Sequence, residues 1–176
     1  MINLDKPGLF SEPEVTVLRR VFERIIYFSE MFLAPLLAVL LFETSMPAIG
    51  ESIVLAAAGI VSWTLAEYSF HRFMLHHLIP DRHRMHHAHP EKPVVGIIWQ
   101  IWACFAVVYW IAGAAVLAGS LVAYAWYLYV HHCSHHSVDR LPPFLIKSHK
   151  IHHRFANRNY GVTTTFWDHV FGTALR

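Results

Sequence analysis

Leu121–His136 reads LVAYAWYLYVHHCSHH. Its first ten residues carry no charge and no helix breaker, as a membrane span requires, and its last six hold four histidines where that span should end. Working back from it, the chain is apolar from Pro93 to Val130. At ~1.5 Å per residue that stretch reaches nearly twice a ~30 Å hydrocarbon core, so it is read as two spans, about 94–112 and 116–132. The small residues GAAVLAGS, Gly113–Ser120, are the natural reversal between them.

Two earlier apolar runs, about 21–42 and 53–70, supply a first hairpin across the turn ETSMPAIGES, Glu43–Ser52. The first run is interrupted by Glu23, Arg24 and Glu30 and carries Pro35, a candidate kink. Residues 1–20 read as an interfacial lead-in, with SEPE at Ser11–Glu14 a helix start and no cleavable leader. The expected fold is an all-α membrane protein: four transmembrane helices in two hairpins with a histidine-rich helical cap, residues 1–176 forming one domain.

Composition agrees. The chain is 55% hydrophobic and 15% charged, against roughly 45–50% and 25% in soluble proteins. A net charge of +2 without a basic, aromatic-interleaved groove pattern argues against nucleic acid. Cys104 and Cys133 are too few for a disulfide framework and read as reduced thiols. Basic residues precede or open the first span (Lys6, Arg19, Arg20, Arg24), lie between the second and third (Arg72, Arg82, Arg84, Lys92) and follow the fourth (Arg140 to Arg176), while both opposite turns lack Lys and Arg. The positive-inside rule therefore places both termini and the segments 71–93 and 131–176 in the cytoplasm. All 15 histidines then fall on one side or at its edge.

These histidines form four clusters: EYSFHRFMLHH with His71, His76 and His77; HRMHHAHP with His83, His86, His87 and His89; HHCSHH with H-x3-H twice, His131 with His135 and His132 with His136; and HKIHHRF with His149, His152 and His153. On a helix each H-x2-H-H should aim three imidazoles at one place. H-x4-H fits less simply, since five α-helical residues turn about 140° beyond a full circle, so His71 and His76 are expected to face different metals, or the helix to end between them. Neutral imidazole suits iron, zinc, copper or nickel rather than magnesium or calcium. Even ten of these fourteen groups exceed one ion's needs, and two metals with roughly five imidazoles each is the economical count.

The four boxes in this order, split by a hydrophobic hairpin, resemble the fatty acid hydroxylase and sterol desaturase superfamily of integral-membrane di-iron oxygenases. The resemblance runs from about Glu67 to Thr173 and includes SHKIHHRFANRNYGVTTTFWDHVFGT. It implies two iron ions, with zinc accepted by the same imidazoles during purification, and O2 as cosubstrate. The implied metal ligands are His71, His76, His83, His86, His87, His131, His135, His149, His152 and His153. The third box stays open by one residue, His131/His135 or His132/His136, and His77, His89 and His136 are candidate outer groups.

Glu67, one turn before His71, and Asp168 are expected to orient ring N–H groups and balance charge, with a plain structural hydrogen bond and ordering of the TTTFWD turn as the alternatives. Asn159 and Tyr160 should brace the fourth box. Trp99, Trp102, Tyr109, Trp126, Tyr127, Tyr129, Phe166 and Trp167 are candidates for shaping a lipid channel or for packing and the interfacial belt.

The implied activity is hydroxylation or desaturation of a lipid C–H bond with two electrons from an external donor, a cytochrome or a ferredoxin with its reductase. The short interval between His76 and His83 resembles carotenoid ring hydroxylases, whereas the C-terminal phrase resembles the fatty acid and sterol branch. A membrane metal transporter is the non-enzymatic alternative, but it should place its ligands near the midplane of broken spans.

Overall fold

The computed structural model describes residues 17–45, 49–90 and 98–176. Within these, the regular elements are helical: α1 Val17–Glu43, α2 Ile49–Ser69 continued by a π-helix Phe70–Leu78, α3 Pro80–Ala88, α4 Ile98–His136, a 3₁₀ turn Val138–Arg140, α5 Pro143–Arg154 and α6 Phe166–Val170. The SEPE helix start, most of the lead-in, Lys6, Lys92 and Pro93 lie outside the described residues.

Among the described residues three helices are long and apolar enough to cross a membrane: Val21–Glu43, Ile49–Leu78 and Ile98–His136. The four-span reading therefore meets three elements, and the third is not straight. Gly113 inside α4 has φ 82° and ψ −179°, a conformation open to glycine and costly for any residue with a Cβ. On either side of it the chain folds back. The rings of Phe105 and Tyr124 lie 5.3 Å apart, although 19 residues of straight helix span ~28 Å. The Glu30 carboxyl accepts both the Trp102 indole N–H and the Tyr124 hydroxyl at 2.6 Å, so one α1 side chain ties together the two arms of α4. Glu30, read in the sequence only as an interruption, is that tie. The reversal falls at the first residue of GAAVLAGS.

Against the second arm, α2 packs through small residues. A Cβ added to Gly59 would land on the Val116 carbonyl oxygen, and one added to Gly119 on that of Ala56. Ser120 Oγ donates to the Gly59 carbonyl at 3.2 Å. In lipid, where apolar burial gives helices little reason to associate, such close backbone approach is a principal source of cohesion. Gly119→Val should cost about 3 kcal/mol or more, because backbone atoms rather than flexible side-chain ends must yield. Thermal unfolding of the detergent-solubilised variant measures this, and an unchanged midpoint would show that the helices separate without penalty. The core proper joins Tyr27, Ala34 and Ala38 of α1 to Ile101, Phe105, Leu121, Tyr124 and Leu128 of α4. Phe32, Val54 and Trp110 face outward, as lipid contact allows.

Candidate metal centre

The sequence HRFMLHH forms part of a π-helix, and this changes the reading of H-x4-H. Bonds of the i→i+5 type, which the Ile79 N–H to Met74 carbonyl bond of 2.8 Å closes at its end, bring residues five apart nearly above one another. His71 and His76 consequently join one group, correcting the expectation that they face different metals or that the helix ends between them. Pro80 then starts α3, where a missing N–H costs nothing.

Two groups of imidazoles converge, each with its ligand atoms within 4.8 Å of one another: His71, His76, His83, His87 and His152, and His86, His135, His149 and His153. His131 joins the second, its Nε2 3.0 Å from that of His86 and its ring centroid 5.1 Å from those of His135 and His149. Contrary to the expectation of three imidazoles per target, each H-x2-H-H is divided. In α3, His83 and His87 face the first group and His86 the second; in α5, His149 and His153 face the second and His152 the first. Helix geometry explains the division: residues i and i+4 diverge by about 40°, whereas i+3 lies about 100° from i+4. The groups are thereby interleaved, with the rings of His87 and His153 stacked at 4.4 Å.

In the third box, His131 and His135 enter this assembly, while His132 pairs with His136 at 4.7 Å and rests against Phe28 at 5.3 Å. His77 contacts the Arg72 carbonyl at 2.7 Å, and exposed His169 contacts that of Thr165 at 2.8 Å.

The donor set fits a cation. His71 Nδ1 donates to the Tyr160 carbonyl at 2.6 Å and His152 Nδ1 to the Arg158 carbonyl at 2.7 Å. A carbonyl only accepts, so both rings present an unprotonated Nε2 to the centre of their group. In the first group Nε2 atoms meet at 2.9 Å (His71 with His83), 3.0 Å (His83 with His87), 3.1 Å (His87 with His152) and 3.3 Å (His76 with His152). With neutral rings, protons cannot satisfy all four contacts at once, because a His83 proton given to His71 leaves His83 unable to accept from His87. One cation held by these five residues would accept their lone pairs together.

The imidazoles outside the apolar helices are tuned to stay neutral. Burial, reinforced by neighbouring imidazoles, holds His83 and His149 well below the ordinary histidine range and pushes His152 down to about 2 and His153 to about 3. Unfolded histidines titrate near 6.5. Below that value the unfolded chain binds protons that the folded one refuses, so stability rises with pH there and falls as pH drops from 6.5 toward 3. Metal-free protein should accordingly lose thermal stability on acidification from pH 7 to 5 and regain it on return; a pH-independent midpoint would contradict the buried, neutral imidazoles.

The NYGVT phrase holds this arrangement from behind. Asn159 is left-handed, with φ 52°, and its side chain bonds to Leu175 N at 2.6 Å and O at 3.0 Å. A Cβ on Gly161 would collide with the Thr164 carbonyl oxygen. Asp168, fully buried, accepts from Tyr160 N–H at 2.8 Å and Thr173 Oγ at 2.7 Å through Oδ1, and from Gly161 N–H at 2.9 Å through Oδ2. Glu67 accepts from Val162 N–H at 2.8 Å, Thr163 N–H at 3.0 Å and the Thr163 hydroxyl at 2.6 Å. The two carboxylates therefore grip the loop whose Tyr160 carbonyl orients His71. Among the described residues neither carboxylate bonds a ring N–H; for His71 and His152 backbone carbonyls do that, a contact that spacing along the chain does not reveal. The Tyr160 ring packs against His71, His76 and His152 at 5.3–5.8 Å.

A largely apolar cavity between α1, α2 and α4 is lined by His71 and His131, one imidazole from each side of the assembly, with Glu30 and Glu67 also in its wall. Tyr27, Trp63, Phe70, Tyr124 and Tyr127 supply its aromatic walls. Of the eight aromatics considered in the sequence, only Tyr127 lines it. Trp99, Tyr109, Trp126 and Phe166 are exposed, Tyr129 stacks on Trp126, Trp102 serves Glu30, and Trp167 donates to Thr64 Oγ at 3.0 Å.

A family model described as fatty acid hydroxylase matches residues 56–173. A dihydroceramide fatty acyl 2-hydroxylase of Arabidopsis thaliana is 32% identical over 151 residues, covering 73% of this chain and 62% of that one. A ceramide very long chain fatty acid hydroxylase of Saccharomyces cerevisiae is 34% identical over 149 residues, covering 69% and 38%. The human fatty acid 2-hydroxylase is 29% identical over 140 residues, covering 65% and 38%. The chain thus spans between two fifths and three fifths of these relatives' lengths, roughly. Among solved structures, the hydroxylase domain of full-length scs7p superposes with a TM-score of 0.66 at 26% identity, covering 83% of this chain and 67% of that one.

Proposed function

The chain belongs to the fatty acid hydroxylase family, and from that premise we propose that it hydroxylates a lipid acyl chain at a dimetal centre held by the ten imidazoles His71, His76, His83, His87 and His152 on one side and His86, His131, His135, His149 and His153 on the other. The observation that carries this reading is the largely apolar cavity lined by both His71 and His131, because a C–H bond held in it lies beside an imidazole of each group. Two iron ions bound there would supply activation of O2, with the balance R–H + O2 + 2e⁻ + 2H⁺ → R–OH + H2O. Trp63, Phe70, Ile101 and Leu128 hold the chain and exclude water. The Tyr160 and Arg158 carbonyls keep a proton on Nδ1 of His71 and His152 and so keep Nε2 free for metal.

The names of the relatives favour an acyl chain over a carotenoid ring. The two arms of α4 serve as the third and fourth spans in this reading, and the placement of Lys and Arg puts both termini and the histidines in the cytoplasm. Lipid profiling of cells with and without the protein tests the activity. Acyl chains one oxygen heavier are expected. A loss of two hydrogens would replace hydroxylation by desaturation, and an unchanged lipid profile with altered metal uptake would favour a transporter.

A further inference from the structure

We propose that the outer face of α5 is the docking surface for a small acidic one-electron carrier protein, an inference that rests on the hydroxylase reading above. That reaction consumes two electrons per O2, and α5, like α3, contributes imidazoles to both groups, so a donor seated on its outer face would approach both. Its inner face presents His149, His152 and His153 to them. Lys147, Lys150 and Arg154, at i, i+3 and i+7, occupy the opposite side of the same helix. Only one helix diameter, about 10–12 Å with side chains, separates the two faces.

The outer face is shaped for a transient partner. Lys147, Lys150, Arg154 and Arg176 line a shallow groove floored by Ile146, Ile151, Phe155 and Leu175, with no acidic side chain in its lining among the described residues. All four cations belong to exposed residues, and none has an ion-pair partner among the described residues. Phe155 and Leu175 are themselves exposed. An apolar floor with a basic rim matches the anatomy of a protein interface. The single sign of charge selects an acidic partner and speeds its arrival.

The test uses the full chain, iron-loaded, in nanodiscs of phosphatidylcholine, with a reduced acidic [2Fe–2S] ferredoxin as probe. The reduction rate should fall steeply with salt. Lys147→Glu combined with Lys150→Glu should slow it at least tenfold, flatten the salt dependence and weaken binding of oxidised ferredoxin in parallel, while reduction by dithionite stays unchanged. Unchanged ferredoxin binding and rate in the double variant would overturn the proposal. So would an effect that appears only in discs containing phosphatidylserine, which would assign the groove to anionic lipid head groups. An equal loss with dithionite would overturn it too, by locating the damage in the metal groups. Ferredoxin binding that the double variant abolishes, in protein that yields no hydroxylated lipid, would support the surface while refuting the hydroxylase reading.

Discussion

Iron-loaded protein carrying His152→Ala should hold about one metal ion per chain instead of two and lose lipid hydroxylation by roughly 10³-fold or more, beyond the 10–100-fold cost typical of removing an outer partner of a ligand. His152 is fully buried, its Nδ1 proton is fixed by the Arg158 carbonyl, and its Nε2 meets those of both His76 and His87. Alanine removes a lone pair that no neighbour can replace. The matched control is His132→Ala with His136→Ala, which removes as many imidazoles as a whole H-x3-H pair contains. Those two rings face each other and Phe28 rather than either group, so metal content and product should stay within about twofold of the parent, as for surface changes distant from a site. Elemental analysis of anaerobically purified protein reads both variants. Two metals retained in His152→Ala, or metal lost from the His132/His136 double variant, would reverse the assignment and restore the alternative register of the third box.

That register shows where the sequence was legible. Helical phasing alone puts His131 and His135 on one face, but choosing between the two H-x3-H pairs needed the position of α1, whose Phe28 occupies the side of His132. The long apolar helices and the reversal near Gly113 were readable because length and hydropathy nearly determine them. The π-helical turn was not, since nothing in FHRFMLHHL distinguishes it from an α-turn until neighbouring imidazoles draw His71 and His76 to one centre. The division of each H-x2-H-H was hidden for the same reason: spacing gives directions on one helix, whereas the number of targets depends on how α3 and α5 face each other. Glu67 and Asp168 stand out in the sequence as acids near the histidines, but the contacts of Glu67 lie on a loop about 95 residues away in the chain, beyond the reach of local pattern, whereas Asp168 meets that loop from within eight residues.

The two acids should respond oppositely to conversion into their amides. In Glu67→Gln, one oxygen still accepts the Val162 and Thr163 N–H groups, while the new NH2 faces the Thr163 hydroxyl, which can rotate to accept. The loop should keep its place, with metal content and activity within about threefold of the parent, because every buried group retains a partner. Asp168→Asn has no such solution. Each Asp168 oxygen accepts a backbone N–H, from Tyr160 at Oδ1 and from Gly161 at Oδ2, so either orientation of the amide sets its NH2 against a backbone donor. At a fully buried position, the unsatisfied donors should cost about 3 kcal/mol or more. The displaced Tyr160 carbonyl should release the His71 ring and lower metal affinity by about 10–100-fold. Metal titration and thermal unfolding of the two variants measure both effects. If the carboxylates instead acted chiefly by balancing the charge of the metals, Glu67→Gln would be the damaging change as well, and equal losses in the two variants would refute the loop-gripping role.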